Sequence, residues 1–481
     1  MKNKTPRRSL SDSKEYKFVK LSNGLKVLLV RQETSENDDK VKKKNLAAVA
    51  LCVGSGCFQD PLDVQGMSHF LEHMIFMGSE KYPKENEFDQ YVAAHGGFDN
   101  AYTECEHTLF HFDIIEKHLA GALDRFSQFF ISPLMSIQSM EREMEAVESE
   151  FQSNSSDDEV RLSQIFCSMV NETHPASNFI WGNLRTLRNA IVREKLNKKL
   201  HEFRTQNYVA NRMFLCIQSS VDMTRLERTV VKYFTDIPRG RDDLQVVSVP
   251  KTFEIFKPNF YEKAFFVKST TEKCKLLLTF LLPAVGKDLK FLEYIASLIA
   301  YEGTGSLSDL FMDELLALKV KAKVGSQSFE GNSMFTLFTI EVNLTSKGFR
   351  DFDEVLKGVF AYLLLLKTTS MDEHKKRYEE FRENKETLLR YHDEKSAIEN
   401  VQELAVNMRY FNDDDVIIGR ESCPDFDEKT MKTMIDSINE KKFNLMVLSD
   451  KYPRYDKIER WFGTEYTEIG KFIKSYENYA P

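Results

Sequence analysis

Two stretches of the chain, separated by nearly half its length, share the same order of apolar and polar positions. The segment TLFHFDIIEKHLAGALDRFSQFF from Thr108 alternates as a strand does and then repeats apolar residues at helical spacing, as does TLFTIEVNLTSKGFRDFDEVLKGVFAYL from Thr336. Farther along, NRMFLCIQSS from Asn211 and KKFNLMVLSD from Lys441 are each typical of a strand that follows a helix. The two offsets are 228 and 230 residues, so we expect two copies of one α+β unit.

Each copy is expected to open with strands. These are YKFVKLSNGLKVLLVRQ and NLAAVALCVGSG in the first copy, and KAFFVKST and KLLLTFLLPAV in the second. Proline, glycine and charged residues interrupt the pattern between Pro238 and Pro258, where we expect the boundary. The predicted fold is therefore α+β, with two tandem homologous α/β-roll domains over residues 1–245 and 246–481, each a mainly antiparallel sheet packed with helices.

The segment MSHFLEHMIFM, from Met67 to Met77, predicts a helix with one apolar face and one face suited to a metal ion. The second face carries His69, Glu72, His73 and Phe76. Histidines at positions i and i+4 stand one above the other, so both rings can reach one zinc ion while the carboxylate beside them serves as a general base. The alternative is a pair of ordinary surface histidines on an amphipathic helix, which the apolar back of the segment and the phenylalanine on its polar face disfavour.

The histidine motif occurs in only one of the two copies. The corresponding region of the second copy, FLEYIASLIAYEGTGSLSDLF, contains no histidine. The second domain is therefore predicted to be non-catalytic, and we expect one zinc ion per chain.

A catalytic zinc site usually has three protein ligands, so one further side chain is needed. The segment SMEREMEAVESEFQ predicts a helix whose apolar stripe consists of Met140, Met144, Val147 and Phe151. Its acids fall on two flanks, with Glu143 and Glu150 on one and Glu141 and Glu148 on the other. The helical pattern leaves both flanks open as the source of the third ligand, and most of these acids are expected to be solvated.

Composition narrows the class of protein. A chain of 481 residues favours two domains of similar size. Its seven cysteines, an odd number without a CxxC pair, favour free thiols in a reducing compartment, and no apolar run reaches membrane length, so we expect a cytoplasmic protein without a membrane partner. The net charge of −8 with dispersed basic residues argues against nucleic acid and is compatible with basic peptides.

The segments HFLEHM, FMGSEKYPKENEFDQ, DNAYTECEHTLFHFD, GALDRFSQFF and EREMEAVESE together resemble the pitrilysin family of inverted-motif zinc peptidases, in particular its nardilysin branch. The resemblance extends through WFGTEYTEIG near the end of the chain. It implies a zinc metalloendopeptidase in which His69, His73 and Glu150 bind the metal and Glu72 is the general base. It also implies that Glu143 supports the site.

The resemblance further implies where a peptide would bind. Asn100, Ala101 and Tyr102 match an edge strand to which the substrate backbone adds as a further strand, and Phe76 matches a residue near the cleavage-side pocket. Similarity to this branch also raises the hypothesis that the chain cleaves peptides at basic or dibasic sites.

The resemblance leaves alternatives to a fully active enzyme, because full-length members of the branch have four such domains and this chain matches two. In those members the second half contributes an arginine and a tyrosine to the transition state. The alternatives are a catalytically weak half-chain that binds peptides or proteins as a module, and an ancillary subunit. Either would work with a complementary half-chain or as a homodimer in which one copy caps the other.

Overall fold

The structure is a computed structural model that describes residues 6–32, 46–188, 192–241, 255–257, 260–261, 263–391, 395–439 and 442–470. It divides into two compact units. Unit 1 comprises Met1–Phe151, Ile180–Ser248 and Glu386–Ser422, and unit 2 comprises Gln152–Phe179, Val249–Lys385 and Cys423–Pro481. The predicted boundary between sequence domains, at residues 245 and 246, lies outside the described residues and remains a prediction. The compact units differ from a single cut there, because each one includes a segment from the other side of it.

Thirteen strands lie among the described residues. They are β1 (Glu15–Lys20), β2 (Lys26–Arg31), β3 (Leu46–Val53), β4 (Phe98–Thr103), β5 (Thr108–Ile115), β6 (Met213–Ser219), β7 (Lys263–Val267), β8 (Lys275–Pro283), β9 (Ala317–Val324), β10 (Phe335–Leu344), β11 (Asn444–Leu448), β12 (Lys457–Ile458) and β13 (Glu465–Gly470).

The same ranges contain fifteen α-helices. They are α1 (Met67–Ile75), α2 (Glu87–Ala94), α3 (Leu119–Ile131), α4 (Ile137–Asn154), α5 (Asp158–Met169), α6 (Leu184–Leu187), α7 (Arg193–Asn207), α8 (Met223–Phe234), α9 (Leu289–Ile299), α10 (Leu307–Asp313), α11 (Ser346–Arg350), α12 (Phe352–Thr368), α13 (Met371–Tyr391), α14 (Ala397–Tyr410) and α15 (Glu428–Ser437). None of these described helices is both long and apolar enough to span a bilayer.

The two sheets repeat one topology. The sheet of unit 1 has the order β1-β2-β6-β3-β5-β4, and within the sheet of unit 2 the run β7-β11-β8-β10-β9 follows the same plan as β2-β6-β3-β5-β4. In each sheet the first pair of that run is parallel and the following pairs are antiparallel. The prediction of an α+β fold with two mainly antiparallel sheets is confirmed.

The sheet of unit 1 is buried on both faces, which explains why β3 is apolar throughout. Ala47, Val49 and Leu51 lie in one core with α1 and α3, whereas Ala48 and Ala50 lie in a second core with residues of α14. A strand covered on both faces is expected to be a continuous apolar run. In the sheet, β3 is followed by β5 and then by β4, and β4 forms one edge of the sheet beside α1.

Candidate metal centre

Helix α1 carries the histidines, and its first turn is fixed by a buried aspartate. The backbone N–H groups of Gly66 and Ser68 each donate to the Asp60 carboxylate over 2.8 Å, which satisfies donors that the helix itself leaves unpaired. Gly66 has φ 86°, and a Cβ atom there would lie 2.2 Å from the Cα of Gly182. This close approach of two backbones brings the loop before Gly182 against the start of α1.

Three donor atoms converge beside α1. His69 Nε2 lies 3.4 Å and His73 Nε2 lies 3.5 Å from Glu150 Oε2 on α4. One ligand atom from each of these residues lies within 4.8 Å of the other two. Two imidazole nitrogens and one carboxylate oxygen form the donor set of a catalytic zinc site of the His₂Glu type, so the residues present fit that metal.

The hydrogen bonds of the two imidazoles direct one nitrogen of each ring towards Glu150. His69 Nδ1 lies 2.6 Å from the carbonyl oxygen of Trp181, and since a carbonyl only accepts, Nδ1 must donate. His73 Nδ1 lies 3.4 Å from Glu143 Oε2. With Nδ1 of each ring engaged in this way, both Nε2 atoms face Glu150, an arrangement typical of metal-binding histidines with outer hydrogen-bond partners.

The orientation of α4 separates the two acidic flanks that the sequence left open. Glu143 and Glu150 face the histidines. On the other flank, Glu141 accepts from Arg193 over 2.9 Å, and Glu148 Oε2 accepts from the backbone N–H of Leu184 over 2.9 Å. The second flank thus holds α4 against neighbouring segments of unit 1.

Glu72 lies between the histidines along α1 and is 7% exposed. Its Oε2 accepts a hydrogen bond from the hydroxyl of Thr103 over 2.6 Å. Burial raises the pKa of Glu72, although the neighbouring His69 and the Thr103 hydrogen bond partly offset that rise. A buried carboxyl with a raised pKa can exchange a proton with a bound reactant.

The charges of the centre are strongly coupled. Burial alone would lower the pKa of His73, but the hydrogen-bonding carboxylates of Glu143 and Glu150 outweigh it and raise that pKa to about 9. In His69 burial likewise opposes the effect of Glu150 and Glu72, and the net result is a raised pKa. Hydrogen bonds from His69 and His73 hold the pKa of Glu150 well below its usual range. The centre is therefore arranged to keep a carboxylate ionised beside two imidazoles.

A cavity of about 750 Å³ opens beside these side chains, and Phe76, Asn100, Ala101 and Tyr102 all line it. The Phe76 ring packs against Phe129 with ring centroids 5.0 Å apart. The structure thus places the four residues expected to contact a substrate along one cavity with the histidines and Glu150.

The cavity also has acidic walls that the sequence analysis missed. Asp89, Asp99 and Glu104 line it. Burial, together with the charge and hydrogen bond of Asp89, raises the pKa of Asp99 to about 7, and burial raises the pKa of Glu104 to about 7. The alternation along β4 was the available signal, because a period of two puts Asp99, Ala101 and Thr103 on one face.

Three family models match successive parts of the chain. The model described as "Insulinase (Peptidase family M16)" matches residues 36–180, "Peptidase M16 inactive domain" matches residues 196–378, and "Middle or third domain of peptidase_M16" matches residues 389–474. The first match contains the histidine motif and both acidic flanks of α4. The chain belongs to peptidase family M16, and this membership supports a peptidase function.

Individual relatives agree with the family. The chain is 35% identical over 441 residues to nardilysin of Rattus norvegicus, covering 91% of this chain and 38% of that protein. It is 30% identical over 496 residues to insulin-degrading enzyme of Homo sapiens, covering 98% of this chain and 45% of that protein. The crystal structure of pitrilysin superposes with a TM-score of 0.89 at 25% identity, covering 99% of this chain and 49% of that one. The chain thus spans less than half the length of each of these relatives.

Proposed function

We propose that the chain is a zinc-dependent endopeptidase of the inverted-zincin type. The observation that carries the proposal is the convergence of His69 Nε2, His73 Nε2 and the Glu150 carboxylate within 4.8 Å, beside the buried carboxyl of Glu72. In this proposal the two histidines and Glu150 hold one zinc ion, and Glu143 orients His73. Membership of the peptidase family supports the reaction class.

The chain's own residues supply the remaining chemistry. Zinc, when bound, would act as a Lewis acid on the scissile carbonyl and favour ionisation of the attacking water. Glu72 accepts the proton of that water and returns it to the nitrogen of the leaving amine. The outer edge of β4, at Asn100, Ala101 and Tyr102, pairs with the peptide backbone, while Phe76 contacts a side chain next to the cleaved bond.

The proposed substrates are peptides with basic side chains near the cleaved bond, including dibasic sites. The cavity is lined by Asp89, Asp99 and Glu104, three acidic residues in addition to those proposed for the metal centre. Acidic side chains favour binding of basic ones. The net charge of −8 acts in the same direction at longer range. Peptides of equal length with lysine or arginine replaced by glutamine provide the comparison.

The Glu72→Gln variant tests the proposed function. The amide cannot accept the water proton and Glu72 is not among the proposed ligands, so zinc content should stay at one per chain while hydrolysis of a fluorogenic basic peptide is abolished. Metal analysis and the peptide assay are made on the same preparation. Undiminished turnover in the variant would rule out the proposed mechanism.

A second candidate is a peptide-binding module or ancillary subunit that needs a complementary half-chain or a second copy. It is favoured by the observation that the chain spans 38% of rat nardilysin and 45% of human insulin-degrading enzyme. Loss of one donor to the transition state typically costs about a hundredfold or more in rate. Turnover of one basic peptide is therefore measured at increasing protein concentration, with and without a candidate partner half. A turnover rate per chain that rises with protein concentration or with the partner half favours this candidate. A high turnover rate per chain that stays constant under both changes excludes it.

A further inference from the structure

One hydrogen bond connects Glu72 to the edge strand of its sheet. Thr103 is the last residue of β4, and its hydroxyl donates to Glu72 Oε2 over 2.6 Å. Glu72 is almost fully buried, so few positions remain open to its carboxylate once this bond is formed. A short hydrogen bond to a carboxylate is among the stronger kinds and defines the orientation of the acceptor.

The Thr103 side chain is itself held in place from β5. Thr108 lies directly opposite Thr103 in the β4–β5 register, and the two hydroxyl oxygens are 3.3 Å apart. The Thr108 hydroxyl also lies 3.0 Å from the carbonyl oxygen of Ser55. A threonine hydroxyl has one proton, so with the Thr103 proton on Glu72, the Thr108 proton goes either to the Thr103 oxygen or to the Ser55 carbonyl. The branched side chain of Thr103 further limits its rotation.

We infer that Thr103 is a positioning residue, which fixes one carboxylate oxygen of Glu72 so that the other is presented to the attacking water. The inference rests on the proposed peptidase function. Its particular content is a link between binding and catalysis, because β4 is the edge strand to which the peptide would add. A peptide that pairs with β4 steadies Thr103 and therefore the proton acceptor.

The Thr103→Val variant keeps the shape of the side chain and removes the hydroxyl. We expect kcat for the basic peptide to fall about tenfold to a hundredfold, since small misplacements of reacting groups have effects of that size. The KM should change by less than about twofold and zinc content should stay at one per chain, because neither the strand edge nor the ligands are altered. The Thr103→Ser variant restores a hydroxyl and should recover most of the lost kcat.

A double-mutant cycle tests whether the effect passes through Glu72. In the Glu72→Asp background, which keeps a carboxylate but shortens its reach to the Thr103 hydroxyl, Thr103→Val should cause little further loss of the residual rate. The Thr229→Val variant on α8, whose hydroxyl bonds the Arg225 carbonyl over 2.9 Å, is the matched control and should behave as wild type.

Three outcomes would overturn the inference while leaving the peptidase function intact. They are wild-type kcat in Thr103→Val, equal impairment of the serine and valine variants, and loss of zinc together with activity in Thr103→Val. A wild-type protein that cleaves no faster than Glu72→Gln would instead overturn the peptidase function, and the inference with it. Thermal melting of every variant shows whether each is folded at the assay temperature.

Discussion

The two units contain the same kind of helix pair and fill the space between the helices differently. In unit 1, α1 and α4 meet across two imidazoles and two carboxylates, with His73 between Glu143 and Glu150. In unit 2, the corresponding helices α9 and α13 meet across aromatic rings. Phe291 stacks on Tyr378 with ring centroids 5.0 Å apart, and Tyr294 lies edge-on to Tyr378 at 5.5 Å. One helix pair leaves a polar centre, and the other forms a packed core.

The histidines of the two pairs differ in the same way. In unit 2, His374 is buried and both of its ring nitrogens are engaged, Nε2 with the carbonyl of Leu366 at 2.9 Å and Nδ1 with the Tyr294 hydroxyl at 3.2 Å. In unit 1, His69 and His73 each direct Nε2 towards one carboxylate. Burying charged groups without a metal is costly for stability, whereas aromatic packing stabilises the fold directly. The comparison therefore separates a region whose side chains fit a metal ion from one whose side chains form a packed core.

The largest expected effect comes from breaking the aromatic contact in unit 2. Phe291→Ala removes a ring that is 2% exposed, and such a truncation typically lowers the free energy of unfolding by about 3–5 kcal/mol. Zinc content per folded chain should stay unchanged, because every proposed ligand lies in unit 1. Chemical denaturation and metal analysis measure the two quantities, and a loss of zinc from folded protein would contradict the separation.

The next largest effect is expected at Glu150, the proposed third ligand. Glu150→Gln should weaken zinc binding by more than about a hundredfold, because a carboxylate is lost from the proposed donor set. Loss of a residue that only hydrogen-bonds to a ligand typically weakens metal binding by about tenfold to a hundredfold. Glu141→Gln is the matched control on the opposite flank of α4, where the carboxylate pairs with Arg193. Competition with a chelator gives both affinities. Equal losses in the two variants would show that α4 is oriented differently.

A smaller effect is expected at Glu143, which lies beside Nδ1 of His73. Glu143→Gln should weaken zinc binding by about tenfold to a hundredfold, because the carboxylate that orients the ring is replaced by an amide that can still accept a hydrogen bond. The control is Glu145→Gln on the same helix, since Glu145 pairs with Arg188. An affinity in Glu143→Gln as low as in Glu150→Gln would instead make Glu143 a ligand.

Periodicity alone predicted the parts of this architecture that depend on local pattern. The apolar faces of α1 and α4 and the repeated strand and helix after Thr108 and Thr336 follow from spacing. Two features do not. The choice between the flanks of α4 depends on how that helix is rotated against α1, and the contact of Thr103 with Glu72 joins an edge strand to a helix. Such contacts are set by tertiary packing, which one sequence does not encode at any fixed spacing.

The sequence pattern also did not predict which segment covers the second face of the sheet in unit 1. Helix α14 packs against β3 and β6, although the 177 residues from Ser220 to Ser396 separate it from β6 along the chain. The apolar run of β3 signalled that both faces are buried but not which segment buries them. Amphipathic character identifies a helix that needs a partner, while the identity of the partner depends on the folded arrangement.

The corresponding edge strands β4 and β9 of the two sheets offer the last and smallest test of the comparison. Edge strand β9 of unit 2 carries Lys319 and Lys323, which form ion pairs with Glu302 and Glu330, and charged edges of this kind resist pairing with further strands. Edge strand β4 of unit 1 instead carries Asp99 on the side of the cavity, where burial and the neighbouring Asp89 raise its pKa to about 7.

The raised pKa of Asp99 gives a stability change with a defined sign. An unfolded aspartate ionises near pH 4, so between about pH 4 and pH 7 the folded protein holds a proton that the unfolded chain has lost. The Asp99 contribution to the free energy of unfolding should therefore fall as pH rises through that window and level off above it. Asp99→Asn removes the contribution, so the variant should gain stability relative to wild type as pH rises from 4 to 7. Urea denaturation of both proteins across this range gives the difference, and parallel curves would mean that Asp99 ionises alike in the folded and unfolded states.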